Sequence, residues 1–357
     1  MDKIPKVMRA IVYRGANDLR LEELPVPRIS SSEILVRVAG CGVCPTDIKK
    51  IHFGTVSPPR IFGHETSGII ARVGARVRGF NVGERVGLHH HVPCLKCHAC
   101  RHRAFAQCPQ YKHTGITAGF EPAGGGYAEY VRVMPFVFPG IVKIPSRNSF
   151  LQGAMLEPVN TVLKAVRRLD LILDDYVLVA GQGPIGLMFT RLLQLEGYRV
   201  IATDLVDERL SIARKFGASA VLNANDPDLI SNLRRLTRKQ GLDGAVICAP
   251  VDEAVRQAQE AINGAGKVLL FAHTRRGVET PLDLSGVCVD EKDLIGSYSS
   301  DFMLQDEVAK LVFARKLDVE ALITNKFPLE QTAAAVELAA HPTAHSLKIV
   351  VEQLKSA

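Results

Sequence analysis

Tyr176-Val177-Leu178-Val179-Ala180-Gly181-Gln182-Gly183-Pro184-Ile185-Gly186 runs from an apolar segment through a glycine-rich turn into a helical pattern. Beyond Pro184, apolar residues recur at Ile185, Met188, Phe189, Leu192 and Leu193, the i, i+3, i+4, i+7, i+8 face of a helix. A strand, a turn and a helix in this order suit a dinucleotide. Gly181 permits the tight turn, Gly183 lets a pyrophosphate approach the backbone, and Gly186 lets helix pack on strand. The helix N-terminus offers free N–H groups and a positive dipole end to phosphates. Pro184 in the first turn gives up no needed hydrogen bond. The next apolar segment, Arg199–Asp204, ends on an acid eighteen residues after Gly186. A carboxylate there accepts from ribose hydroxyls and repels a 2′-phosphate, so NAD is expected rather than NADP. Arg209 tempers that expectation, since a nearby arginine also meets a phosphate.

Working outward, Ala220–Leu222, Gly244–Ile247, Lys267–Phe271 and Leu294–Ser297 read as further strands. Helical stretches such as Asp207–Phe216 and Asp252–Ile262 separate them. Six strands with crossovers predict an α/β doubly wound parallel sheet over residues 156–296. Residues 1–155 have another texture. Short β-type runs, among them Ile34–Val38, Gly68–Val73 and Arg85–Leu88, are closely punctuated by Gly and Pro, which predicts an antiparallel or barrel-like β domain. In residues 297–357, Val308–Arg315 and Leu329–Ala340 read as helices and Leu347–Val351 as a strand. This tail is expected to rejoin the first domain.

The chain has 357 residues and a formal charge of +7, but its Lys and Arg residues are scattered in pairs such as Arg167-Arg168 and Arg234-Arg235. With no Trp and 6% aromatics, no stacking rings accompany them, so no nucleic-acid partner is expected. No apolar run approaches the roughly 18 residues of a membrane span. Residues Met1 to Gly15 carry no leader pattern, and a cytoplasmic enzyme without a membrane partner is expected.

Four of the eight cysteines crowd together as Cys94, Cys97, Cys100 and Cys108, spaced C-x2-C-x2-C-x7-C. Four thiolates close a tetrahedral zinc site with no open position, which holds a loop and does no chemistry. Iron–sulfur proteins also use C-x2-C-x2-C, but there the next cysteine follows after three residues and serves a second cluster, for which this chain has no cysteines. A second set is looser. Cys44-Pro45-Thr46-Asp47 is followed, twenty residues after Cys44, by Gly63-His64-Glu65, and Glu157-Pro158 lies where the β texture gives way. One thiolate, one imidazole and one or two carboxylates suit a zinc site that also takes water or an alcohol. Cys41, three residues before Cys44, reads as a buried neighbour rather than a redox partner. His89-His90-His91 cannot converge on a metal, because alternate residues of a strand face opposite ways.

With these motifs quoted, the chain resembles the zinc-containing medium-chain dehydrogenases over nearly its full length. Val82-Gly83-Glu84-Arg85-Val86 and Gly124-Gly125-Gly126-Tyr127-Ala128-Glu129-Tyr130 strengthen the likeness. Glu157 is similar to the sorbitol and threonine dehydrogenase branch, where simple alcohol dehydrogenases carry a cysteine. The resemblance implies a GroES-like β-barrel catalytic domain beside a Rossmann domain, one catalytic and one structural zinc, and a homodimer or homotetramer. It implies that Cys44, His64 and Glu157 surround the catalytic zinc, with Glu65 a direct or exchangeable ligand. Asp47 would orient His64, and Thr46 would carry the substrate proton. Ile185, Asp204 and Arg209 would touch the cofactor, and Phe271, Ala272, His273, Ser297 and Tyr298 would approach the nicotinamide. Two departures stand out. Lys49 occupies the position of a relay histidine, with His52 three residues on, and Arg103 stands where relatives often have glycine.

The implied reaction is reversible oxidation of a secondary alcohol to a ketone, with hydride passing to NAD. Polyols, sugar alcohols, cyclitols and amino alcohols suit the Glu157 branch; L-threonine and a simple alcohol stay open as alternatives. Phe53–Pro59 and Thr117–Ala123 are expected to shape the pocket. A zinc-free quinone-type reductase, or a non-catalytic NAD-binding protein on this fold, is the reading from another class; Cys44, His64 and Glu157 together argue against both.

Overall fold

The computed structural model describes residues 3–89, 92–110, 124–272, 277 and 279–354. The chain forms two compact units, Met1–Asn160 with Ser300–Ala357, and Thr161–Ser299. The first unit opens with β1 (Val7–Gly15), β2 (Asp18–Pro25), β3 (Ile34–Gly42), α1 (Pro45–Phe53), β4 (Glu65–Val73), β5 (Arg85–Leu88) and α2 (His98–Arg101). It continues with β6 (Tyr130–Val133), β7 (Val142–Lys143), α3 (Phe150–Ala154) and the start of α4 (Leu156–Leu169), whose residues from Thr161 onward belong to the second unit. Strand β3 is its centre. It pairs antiparallel with β4 and with β6. Ile34, Val36 and Val38 face one apolar cluster with Ile70, Val86 and Val131. Leu35 and Cys41 face another with Ile11, Tyr13 and Tyr127. That two-residue alternation, with both faces covered, is why Ile34, Leu35, Val36 and Val38 are all apolar, while Arg37 is exposed.

The second unit contains β8 (Tyr176–Ala180), α5 (Pro184–Leu195), β9 (Arg199–Asp204), α6 (Asp207–Lys215), β10 (Ala220–Asn223) and α7 (Leu229–Leu236). It continues with β11 (Leu242–Ile247), α8 (Asp252–Ala261), β12 (Ile262–Leu270), α9 (Leu284–Val289) and β13 (Asp293–Gly296). The sheet order is β10-β9-β8-β11-β12-β13, and every pairing is parallel. The order of strands reverses beside β8, so the turn after β8 lies at the topological switch point where open α/β sheets take ligands. Strand β12 begins earlier than expected. Its register against β11 jumps between Leu242 and Gly244, and Ala265 sits at φ 60°. Asn263-Gly264-Ala265-Gly266, ahead of the strand expected from Lys267, is therefore an irregular stretch of β12.

The tail supplies α10 (Gln305–Phe313), β14 (Ile323–Phe327), α11 (Thr332–Ala340) and β15 (Lys348–Glu352). Leu329–Gln331 form a separate tight turn, and the Thr332 hydroxyl donates to the Leu329 carbonyl at 2.6 Å where one longer helix was expected. Strand β15 pairs antiparallel with β3, so the chain's last strand extends the sheet of the first unit. A buried amide network holds the tail there. Asn160 Nδ2 donates to Gln305 Oε1 at 2.9 Å, and the Asp301 amide donates to Asn160 Oδ1 at 2.8 Å. Among the described residues, no helix is long and apolar enough to cross a membrane.

Candidate functional site

Cys44 ends the link from β3 and precedes α1, whose first helical residue is Pro45. Asp47 follows in the first turn, where a carboxylate suits the helix dipole. Gly63 turns the chain at φ 94° into His64 and Glu65. A Cβ on Gly63 would stand 2.7 Å from Cys41 Sγ and 2.9 Å from the Tyr127 ring, so both conformation and space demand glycine. Donor atoms of Cys44, His64 and Glu65 then lie within 4.8 Å of one another. His64 Nδ1 lies 3.1 Å from Asp47 Oδ1, and the Gly63 amide donates to Asp47 Oδ2 at 3.2 Å. Asp47 thereby fixes the ring and leaves Nε2 as the donor.

Burial and neighbouring charges shift the titration of this group. Burial disfavours a charged imidazole at His64, yet Asp47 and Cys44 outweigh it and raise its pKa well above the ordinary value. Burial raises Asp47 and His64 opposes it, leaving the carboxyl below its ordinary value. Burial raises Glu65, against the pull of Lys348, and the charge of Glu157 adds to the rise. A cysteine sulfur, an imidazole and a carboxylate, with His64 and Glu65 buried and Cys44 half-buried, form a donor set that fits zinc. Cys41 differs. Burial pushes its thiol up to about 12, so it stays protonated against Thr66 and is no ligand.

The four-cysteine lobe gathers its sulfurs within 4.8 Å. Cys97 and Cys100 are 3.5 Å apart, and Cys94 and Cys100 are 3.9 Å apart. A tetrahedron of Zn–S bonds about 2.3 Å long has edges of about 3.8 Å, so the spacing fits zinc and is far too wide for a disulfide. Amides of Lys96 and Cys97 donate to Cys94 and lower its thiol to about 6. Arg103 sits at φ 56°, in the left-handed region where glycine is at ease.

In the second unit, Gly181 turns at φ 94°, and a Cβ on Gly186 would fall 1.8 Å from the Gly181 carbonyl oxygen. Nothing lies within 4 Å of the corresponding position on Gly183, which leaves open space over the amide at the start of α5. That cradle fits a pyrophosphate. Asp204 ends β9 and accepts from the Gln182 amide at 2.6 Å and the Val206 amide at 3.0 Å. Each oxygen keeps a second lone pair for a ribose hydroxyl.

Comparison with known proteins decides the assignment. Residues 30–146 match the alcohol dehydrogenase GroES-like domain, and residues 184–324 match the zinc-binding dehydrogenase family. Sorbitol dehydrogenase of Bacillus subtilis (strain 168) is 29% identical over 357 residues, covering 98% of each chain. L-threonine 3-dehydrogenase of Anaeromyxobacter dehalogenans (strain 2CP-C) is 31% identical over 314 residues, covering 86% of this chain and 88% of its own. The crystal structure of 2R,3R-butanediol dehydrogenase from Bacillus subtilis superposes with a TM-score of 0.85 at 25% identity, covering 97% of this chain and 99% of that one. The chain belongs to the zinc-containing medium-chain dehydrogenases. It is a zinc-dependent alcohol or polyol dehydrogenase using NAD(P), with a GroES-like unit and a Rossmann unit.

Within this dehydrogenase the remaining expected residues fall as follows. Glu157 is buried at the start of α4 and is felt by Glu65, but it stands outside the group of three converging donors. It is placed by α3, which carries a Ser149–Gln152 capping box and whose Phe150 carbonyl accepts from Ser67 Oγ of β4 at 2.6 Å. Thr46 is half-buried in the first turn of α1. Lys49 is half-buried on the same helix; desolvation lowers its pKa, against the charge of Cys44. Ile185 and Arg209 are half-buried in the first turns of α5 and α6. Phe271 and Ala272 follow β12, and Phe271 packs edge-on against Phe189 at 4.9 Å. Ser297 and Tyr298 follow β13, and the Tyr298 carbonyl accepts from Lys164 at 2.9 Å. Buried His89 lies 3.4 Å from the Ser300 hydroxyl. His90, His91, Thr117–Ala123 and His273 lie outside the described residues.

Two residues beside the donor group were not singled out from sequence: Lys348 and Gly42. A lysine opening the apolar strand Lys348–Glu352 was the available signal for the first. Gly42, next to a cysteine in a strand, carried none.

Proposed function

We propose that the chain oxidises a secondary alcohol of a polyol, sugar alcohol, cyclitol or amino alcohol to the ketone, with NAD+ as acceptor. The observation that carries this reading is the second carboxylate. Glu157 stands beside the Cys44, His64 and Glu65 group, buried and close enough to act on Glu65 by charge. An acidic surround suits a substrate rich in hydroxyl donors. Similarity to sorbitol, L-idonate and L-threonine dehydrogenases supports the same class.

When bound, zinc supplies Lewis acidity toward an alcohol oxygen, and the nicotinamide supplies a hydride acceptor. The chain does the rest. Cys44, His64 and Glu65 hold the metal, and Asp47 keeps His64 in the ligating tautomer. Thr46 receives the hydroxyl proton by hydrogen bond. Gly181 and Gly183 seat the pyrophosphate at the N-terminus of α5, and Asp204 selects a ribose bearing a free 2′-hydroxyl. Self-association into a homodimer or homotetramer is part of the proposal, supported by α9, where Leu284 and Val289 are 70% and 76% exposed beside the edge strand β13.

The test is zinc content together with initial NAD+ reduction rates on sorbitol, xylitol, L-threonine, inositol, 2,3-butanediol and ethanol. The expected result is two zincs per chain and fastest turnover on a polyol or amino alcohol. Full activity in Cys44→Ser, or fastest turnover on ethanol, would overturn the reading.

A further inference from the structure

Glu65 and Lys348 stand on strands that are not neighbours. In the sheet order β15-β3-β4, Glu65 pairs with Gly42, and Gly42 pairs with Val350 on the other side. Glu65, Gly42 and Val350 thus form one row across three strands. Lys348 precedes Val350 by two residues, so it projects from the same face as that row. Strands two places apart are about 10 Å from one another, too far for most side chains to meet over an occupied middle position.

Here the middle position is bare. A Cβ on Gly42 would fall 1.8 Å from Glu65 Oε2 and 3.0 Å from Lys348 Cε, so the space of that absent side chain holds the pair. Gly42 has no left-handed φ, so space alone requires glycine. Across the gap Lys348 Nζ donates to Glu65 Oε1 at 2.7 Å and to the Val43 carbonyl at 2.9 Å. The same nitrogen lies 2.5 Å from Oε2, which forms no hydrogen bond of good geometry. Both side chains are buried, at 6% and 2% exposure.

We propose that Lys348 is a positioning residue for Glu65, competing with zinc for its carboxylate and so setting how long the metal is held and how readily Glu65 yields to a substrate oxygen. This rests on reading Cys44, His64 and Glu65 as a metal site. A carboxylate shared with a buried ammonium is a weaker ligand than one whose nearest cation is the metal. Most partners that orient metal ligands are hydrogen-bond acceptors, and losing one weakens metal binding. Lys348 is a cation, so its removal acts in the opposite sense.

The experiment follows zinc release from the holoenzyme to a chelating dye. The four-cysteine site gives one phase and serves as internal reference. In Lys348→Met the other phase slows about tenfold, while Lys348→Arg, which keeps the charge, stays within about twofold of wild type. The double variant Lys348→Met/Glu65→Gln releases zinc no more slowly than wild type, because the effect needs the Glu65 charge. KM for the best alcohol rises in Lys348→Met. If that variant does not fold, Lys348→Gln, neutral and still able to donate to Val43, carries the same expectation. A lowered melting temperature with unchanged zinc release means that Lys348 only fills space, and overturns the proposal. A wild-type enzyme with a single phase and one zinc overturns the metal-site reading beneath it.

Discussion

Asp47 and His64 form a buried pair, with Asp47 Oδ1 3.1 Å from His64 Nδ1 and both side chains at most 5% exposed. The carboxylate decides which ring nitrogen carries the proton, and Nε2 is left to the metal. Asp47→Asn keeps the volume but loses the charge. Zinc affinity of this site, measured by chelator competition, falls about tenfold or more. The four-cysteine site is untouched in the same titration.

The same pair gives the site a pH dependence. In the metal-free chain the pKa of His64 is raised and that of Asp47 lowered. The His64 contribution to stability is full below the unfolded value of about 6.5 and is lost as pH rises through the folded value. The Asp47 contribution is full above about 3.9 and is lost as pH falls through its folded value. Zinc must displace the His64 proton. The gain in melting temperature on adding zinc therefore grows as pH rises toward the raised folded pKa of His64 and levels off above it. Asp47→Asn flattens that slope; an unchanged slope would show that Asp47 does not set the His64 charge.

Much of this was legible in sequence, for identifiable reasons. Val177, Leu178 and Val179 are buried on both faces, so β8 shows as an unbroken apolar run, and Gly181 and Gly186 are required by conformation and contact. The cysteine lobe is compact in sequence, so its spacing carries its geometry. The contact between Glu65 and Lys348 is not compact, since 283 residues separate its ends. Its register depends on β15 joining β3, which no local pattern encodes. The irregular stretch at Asn263–Gly266 was missed because glycines that loosen a strand look like glycines that end one.

Gly42→Ala tests the gap between Glu65 and Lys348. The new methyl would lie 1.8 Å from Glu65 Oε2, so the carboxylate must move. Overpacking of this kind costs about 1–3 kcal/mol. The expected outcome is a lower melting temperature together with loss of zinc from the Cys44 site alone. Retention of that zinc would show that Glu65 is dispensable as a ligand.

Arg103 departs from glycine at φ 56° in the cysteine lobe. Left-handed backbone disfavours a residue with a Cβ by about 1–2 kcal/mol. Arg103→Gly therefore stabilises the zinc-loaded chain by about 1 kcal/mol, read as a higher melting temperature with unchanged zinc content and turnover. A drop in melting temperature would mean that the Arg103 side chain contributes more than its backbone costs.

On the proposed reading, Asp204 governs the choice between the two nicotinamide cofactors. Its oxygens already accept from the Gln182 and Val206 amides, which holds the carboxylate at the end of β9 beside the turn. Its charge repels a 2′-phosphate, and half-buried Arg209 on α6 would welcome one. Asp204→Asn removes the charge while keeping an acceptor for one amide. A hydrogen bond to a charged group contributes about 1.5–3 kcal/mol, so kcat/KM for NAD+ falls about tenfold or more and the NADP+ to NAD+ ratio rises. Adding Arg209→Ala to that variant removes the phosphate's cation, so the gain toward NADP+ shrinks while the loss toward NAD+ persists. If Asp204→Asn left the ratio unchanged, the turn after β8 would have to select the cofactor through its glycines alone.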